Sequence, residues 1–224
     1  MPDHNEKWVT ELLRLAEGGD GKKTEKQVRI LEAAVEIFSE KGFAAASTSE
    51  IAQKAGVAEG TIFRHYKTKK DLLLSIAGPI ATKLAAPFIM KEFAAKVLDI
   101  RHERVEDLFR MIAKDRLAFA RQHYKLLRIL IHEIPFHPEL MAQVQTLFKE
   151  IVFQRMEKII LHFQEQGQII EAPPWRVLRT AVSLFVGMVV TRLLILPDDP
   201  TDEDEEIEQT IDLLMHGLSP KPRG

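Results

Sequence analysis

Residues 43–73 read FAAASTSEIAQKAGVAEGTIFRHYKTKKDLL, and the reading of this stretch decides the fold. Ser47 precedes a short helical run, and Glu50 three residues later completes the pattern of a capping box. Ala55-Gly56-Val57 is a tight connection in which Gly56 supplies the positive φ such a turn demands. Glu59 to Tyr66 forms a second short helix, and Lys69 begins another that carries Leu72, Leu73 and Ile76 inward. Ile51, Ala52, Val57 and Ile62 suffice for the small apolar core that holds two short helices at a fixed angle. The pattern fits a helix-turn-helix, whose second helix enters the major groove of DNA; taken alone, it also fits an ordinary helical hairpin with a glycine turn.

Outward from this stretch nearly every segment reads as helix. Upstream, Val28, Leu31, Val35 and Phe38 recur at helical spacing, and Gly42 supplies a stop. Trp8, Val9, Leu12 and Leu15 suggest a short amphipathic helix ahead of Gly18-Gly19. Downstream, Pro79 and Pro87 are expected to bend or divide the chain. Val105, Leu108, Phe109, Ile112 and Phe119 mark a helix ending near Arg121, and a shorter one from about Tyr124 is stopped by Pro135. Pro138 suits the first turn of the longest helix, on which Met141, Val144, Phe148, Ile151, Arg155 and Ile159 trace one face until Gly167. An apolar helix from Trp175 to Leu196 follows Pro173-Pro174, and the last runs from Thr201 to Gly217 with Ile207, Ile211, Leu214 and Leu218 as its stripe. No useful strand alternation occurs, so the fold is expected to be all-α. The expected division is an N-terminal extension (1–21), a helix-turn-helix domain (22–75), a helical ligand-binding and dimerisation domain (76–218) and a C-terminal tail (219–224).

Charge is distributed unevenly. The formal net charge of the chain is −2, yet residues 22–75 hold ten Lys/Arg against seven Asp/Glu, whereas residues 198–208 hold eight acids and no base. Only the N-terminal piece is suited to meeting a polyanion. The acidic run complements the dipole of the last helix, with Thr201 as its cap. The chain has no cysteine, in keeping with a reducing cytoplasm. Met1 to Lys7 is polar and no long apolar run follows, so no signal peptide is expected. Arg179 and Arg192 interrupt the most apolar stretch, Val177 to Leu196, which is therefore expected to be a buried helix rather than a membrane span. His132-Glu133 and His137 lack the one-turn spacing of a metal-binding histidine pair, and no metal or cofactor is expected. The sequence carries no nucleophile signature or phosphate loop, so no enzyme is expected.

Gly42-Phe43, Ile51-Ala52, Ala55-Gly56-Val57, Gly60, Ile62-Phe63, His65-Tyr66 and Lys69 before the leucines resemble the DNA-binding segment of the TetR family of transcriptional repressors. The likeness covers some fifty residues; the rest matches only in general plan. It implies that His65, Tyr66 and Lys69 clamp phosphates, a role open to an imidazole, a phenol and an ammonium. Base reading falls to Thr61 and Arg64, with Ser47, Ser49 and Gln53 as secondary contacts and Gly60 permitting close approach. Two departures stand out: Ala58 replaces the usual serine or threonine cap, and Phe63 replaces a common tyrosine.

A single helix-turn-helix binds weakly, so the resemblance implies a homodimer on a palindromic operator, formed through the last two helices. Val182, Phe185, Val189, Ile211, Leu214 and Met215 are the expected interface. It further implies a body cavity for a small, lipophilic effector, for which Phe109, Phe119, Tyr124, Phe136, Met141, Phe148 and Trp175 are the expected lining. A filled body, controlled by a protein partner or by expression level, is the alternative.

Overall fold

The computed structural model describes residues 24–89 and 104–218; the expected N-terminal helix around Trp8 and the tail beyond 218 lie outside them. The described residues form helices and no strand, as expected of an all-α chain. They divide into two compact units: the residues up to Leu84 together with Tyr124–Gln145, and Ala85–His123 together with those from Thr146 onward.

In the first unit, α1 (Glu25–Ala45) begins at Thr24, whose side chain accepts from the backbone N–H of Gln27. Its buried face is Ile30, Leu31, Ala34, Val35 and Phe38. At Gly42 (φ 77°, ψ 165°) the helix kinks rather than stops, and three more helical residues follow. α2 (Thr48–Ala55), α3 (Glu59–His65) and α4 (Lys69–Ile89) come next. α4 runs on through Pro79 and Pro87, against expectation. A proline inside a helix costs about 3 kcal/mol. Around Pro79, however, Leu72, Leu73, Ile76, Ala77 and Ile80 are all buried, and each large apolar side chain so placed contributes about 1.5–3 kcal/mol. Packing therefore wins. α6 (Tyr124–Glu133), a 3₁₀ turn at Ile134–Phe136 and α7 (Pro138–Thr146) complete the unit. α6 packs on α1 through Leu126, Ile129 and Leu130.

The second unit holds α5 (Val105–Gln122), α8 (Gln154–Glu165), α9 (Pro174–Val190) and α10 (Glu203–Leu218). A π-helical segment, Leu147–Phe153, leads into α8, and another, Thr191–Ile195, follows α9. One core joins Leu108, Phe109 and Leu117 of α5 with Met156, Ile160 and Phe163 of α8, Leu178 and Met188 of α9, and Ile207, Ile211 and Leu214 of α10. Gly167 ends α8 at φ 70°, with the N–H of Gln168 returning to the Phe163 carbonyl. The cap of α10 is Asp202 rather than Thr201: its Oδ1 accepts from the N–H of Asp204 at 2.9 Å. Three other acids of the run pair with cations. Glu208 takes Arg110 in a two-bond fork at 2.5 and 2.8 Å, Asp204 takes Lys114 at 2.8 Å, and Glu203 takes Arg121.

Candidate nucleic-acid interface

Ser47 caps α2 as its spacing predicts. Its Oγ accepts from the Glu50 N–H at 3.1 Å, and the Glu50 carboxylate accepts from the Ser47 N–H at 3.3 Å. Lys41, 2.6 Å from Glu50, is the main reason that carboxyl titrates below the usual glutamate range. α2 ends at Gly56 in the left-handed region (φ 64°, ψ 39°), its N–H returning to the Ala52 and Gln53 carbonyls. The chain turns there and α3 begins at Ala58, which has no capping side chain. Ile51, Ala52 and Ile62 are buried between the two helices, and Val57 is half-buried. The Thr48 hydroxyl donates to the Glu59 carboxylate at 2.5 Å, tying the start of one helix to the start of the other. An apolar pin and a polar tie thus fix the angle of the pair.

With Ile62 wholly buried, the other side of α3 faces outward. Arg64, His65 and Phe63 are exposed and Thr61 is half-buried. No atom lies within 4 Å of where a Cβ would stand on Gly60. From α2, Ser49 and Gln53 are exposed, and Ser49 Oγ lies 3.0 Å from Ser47 Oγ. Of the expected contacts, Ser49, Gln53, Gly60, Arg64 and His65 are exposed and Thr61 is half-buried, while Ser47 is occupied as a cap.

Two expected phosphate clamps are placed differently. The hydroxyl of Tyr66 is buried, which pushes the phenol up in pKa, and the side chain belongs to the buried core. The Lys69 ammonium donates to the carbonyls of Phe43 (2.8 Å) and Ala46 (2.7 Å) and lies 4.5 Å from the centre of the Phe43 ring. Lys69 thus caps the C-terminus of α1, a use of its charge that the dipole there favours. Lys67, exposed between α3 and α4, is the cation that sequence reasoning passed over; its place directly after Tyr66 was the available signal. α4 also gains a reciprocal cap, Thr68 with Asp71, at 3.0 Å in both directions.

The residues expected to line an effector cavity fall in both units. Phe109 belongs to the second unit's core, its ring 6.3 Å from that of Phe185. Phe119 is half-buried between Arg116 and His123. Tyr124 and Met141 are half-buried in the first unit. Phe136, Phe148 and Trp175 are exposed, and the Trp175 indole carries Arg176 and Arg179 at 5.8 and 5.6 Å.

The residues expected at the dimer interface also meet the chain's own core. Ile211 and Leu214 are buried in the chain's own core, against which Val182, Phe185, Val189 and Met215 pack. They form the stripe each helix needs to join its own fold. Apolar side chains also remain exposed: Leu184, Val186, Ile195 and Leu213. Leu184 and Leu213 line a groove with Ile170, Ala172, Arg176 and Arg179. The helical run Pro174–Ile195 is long and apolar enough to cross a membrane by length and composition, and only 17% of its most apolar window is buried by the rest of the chain.

A capped helix, a left-handed turn and a second helix with one buried anchor and an open polar face define a helix-turn-helix DNA-binding protein. Residues 30–76 match the family described as bacterial regulatory proteins, tetR family. It is 24% identical over 208 residues to the fatty acid metabolism regulator protein of Bacillus subtilis, spanning 89% of this chain and 98% of that one. To the transcriptional activator FasR of Mycolicibacterium smegmatis it is 24% identical over 203 residues, spanning 89% and 86%. The fold matches that of FadR from Bacillus subtilis, solved in complex with stearoyl-CoA, with a TM-score of 0.63 at 20% identity, covering 85% of this chain and 98% of that one. These relatives are regulators rather than enzymes.

Proposed function

We propose that the protein is a dimeric cytoplasmic repressor that binds a palindromic operator through α2 and α3 and is released by a long-chain acyl-coenzyme A thioester. The observation that carries the DNA-binding part is the open outer face of α3, where Thr61, Arg64 and His65 surround a Gly60 with free space above it. Thr61 and Arg64 read bases, His65 and Lys67 hold phosphates, and Ser49 and Gln53 contact the flanking backbone. Residues 22–75 act as the DNA-binding domain and 76–218 as the body. The effector class is supported by likeness that continues through the body to proteins named for fatty acid metabolism, one of them solved with stearoyl-CoA. Repression is the family's usual mode, although one full-length relative is named an activator.

A second copy covers the apolar outer face of α9 and α10, which explains why a membrane-length apolar helix has so little of its surface buried within one chain. Titrating the protein onto DNA flanking its own gene, with and without stearoyl-CoA, tests the whole reading. Two protomers should bind one palindrome, steeply weakened by salt, and stearoyl-CoA should lower the affinity. Tight operator binding that stearoyl-CoA leaves unchanged would remove the effector, and equal weak binding to all DNA would remove the operator.

A further inference from the structure

Glu133, the last residue of α6, is buried inside the unit that holds the helix-turn-helix. Its Oε1 accepts from the backbone N–H of Phe43 at 3.0 Å and lies 3.0 Å from Nδ1 of the exposed His132. Its Oε2 lies 3.2 Å from Nε2 of the buried His137. A buried carboxylate is costly unless hydrogen-bonded, and here both oxygens have partners. Phe43 is gripped from its other sides as well. The His137 ring meets it edge-on with centroids 4.9 Å apart, and Lys69 holds its carbonyl and lies against its ring.

Phe43 is the residue directly after the Gly42 kink, four residues ahead of the α2 cap Ser47. A Cβ on Gly42 would stand 3.5 Å from His132, so the kink itself rests on α6. Backbone direction at this point sets where α2, and with it α3, begins. The contact joins residues 90 apart in sequence. Connectivity gives it consequence: segment 124–145 packs with the DNA-binding helices, yet the chain enters it from His123 and leaves it at Thr146, both of which belong to the other unit. A change in that unit that shifts either end of the segment reaches, along the covalent chain, a carboxylate bonded to the backbone beside α2.

We propose that Glu133 is the positioning residue that sets the α2–α3 pair against segment 124–145, and thereby the half-site spacing a dimer recognises. The inference rests on the dimeric operator-binding reading above. Its test compares full-length wild type, Glu133→Met, which fills the space without an oxygen, and Glu133→Gln, which keeps an acceptor for the Phe43 N–H. Each is titrated on the operator and on the same half-sites moved one base pair apart. A dimer with fixed heads discriminates between these spacings. Glu133→Met should lose roughly fivefold or more of that discrimination, the low end of ordinary coupling between sites. Glu133→Gln should keep it to within about threefold.

The salt dependence of binding should be unchanged in both variants, because no phosphate contact is removed. Affinity lowered equally on every spacing, or wild-type discrimination in a folded Glu133→Met protein, would overturn the proposal. Amide exchange of DNA-free protein over residues 40–48 supplies a second readout: faster in Glu133→Met than in Glu133→Gln if the bond positions the kink. Equal rates would overturn the proposal even if the wild type showed no operator preference, a result that would count separately against the proposed function. Glu133→Ala serves in the same comparison if methionine is not accommodated.

Discussion

Gly60 and Arg64 separate DNA contact from folding more cleanly than other residues of α3. Ile62 cannot be probed without unfolding the pair, since it is their wholly buried pin. A side chain at Gly60 meets nothing within 4 Å, and glycine inside a helix costs about 0.5–1 kcal/mol relative to alanine. Gly60→Leu is therefore expected to leave the melting temperature unchanged or slightly raised while abolishing operator binding, as gel shift and thermal melts on the same preparation would reveal. Retained tight binding would mean that α3 does not approach the groove at this residue. Arg64 is exposed near the C-terminal end of the same helix. Arg64→Ala should weaken operator binding by about 1–3 kcal/mol and relax preference at one base position if the guanidinium grips a guanine edge. A uniform loss across sequences with a shallower salt slope would make it a phosphate contact instead.

Among the elements, α10 shows how an acidic run is used. Three of its carboxylates, Glu203, Asp204 and Glu208, form ion pairs with α5, foremost the Arg110 fork on Glu208. Arg110 holds the Glu208 carboxyl below the usual glutamate range. A carboxylate whose pKa is lowered on folding adds stability that is present above its unfolded pKa and lost as pH falls through its folded one. Glu208→Gln should therefore melt lower than wild type at neutral pH, the gap narrowing as acidification takes the pH down through the folded-state pKa of Glu208. A gap that persists in acid would assign the effect to packing. Because both partners are partly exposed, added salt should shrink the gap too. The same helix shows what sequence could and could not reveal. Its stripe of Ile207, Ile211 and Leu214 was legible from spacing alone, but its cap moved from Thr201 to Asp202, since either residue can accept from the first turn and only local geometry chooses. The α2–α3 turn was legible in nearly every detail, because a capping box and a left-handed glycine are local devices with local signatures. The π segment at Leu147–Phe153 was not: it contains no glycine or proline to mark it. From there on the buried positions are Val152, Met156, Ile159, Ile160 and Phe163; of the expected face Ile159 is buried, Ile151 and Arg155 are half-buried and Phe148 is exposed. Lys69 and Tyr66 carry a related ambiguity. A lysine or a phenol can serve DNA or its own fold, and partners 26 residues away decide which.

For the whole molecule the decisive surface is the outer face of α9 and α10. The residues that sequence reasoning named on these helices also pack in or against the chain's own core, because the largest apolar residues at regular spacing are the ones a helix first needs for its own fold. What remains outside that core is still apolar: Leu184 at 37% exposure and Leu213 at 69% line one groove. Arg176 and Arg179 stand beside them on the indole of Trp175. If this face carries the dimer, a charge at its centre must be desolvated twice in a two-fold interface, once from each copy. Leu184→Glu combined with Leu213→Glu should then yield a monomer by sedimentation at micromolar concentration. Its helical content by circular dichroism should stay unchanged, because neither side chain is part of the buried cluster. Operator affinity should fall to the level of nonspecific DNA, roughly 10³-fold or more below wild type, because one head alone reads too few base pairs. A double variant that remains dimeric would place the interface elsewhere. A monomer that still binds the operator tightly would separate dimerisation from recognition, leaving the α2–α3 pair to account for the affinity without a second head.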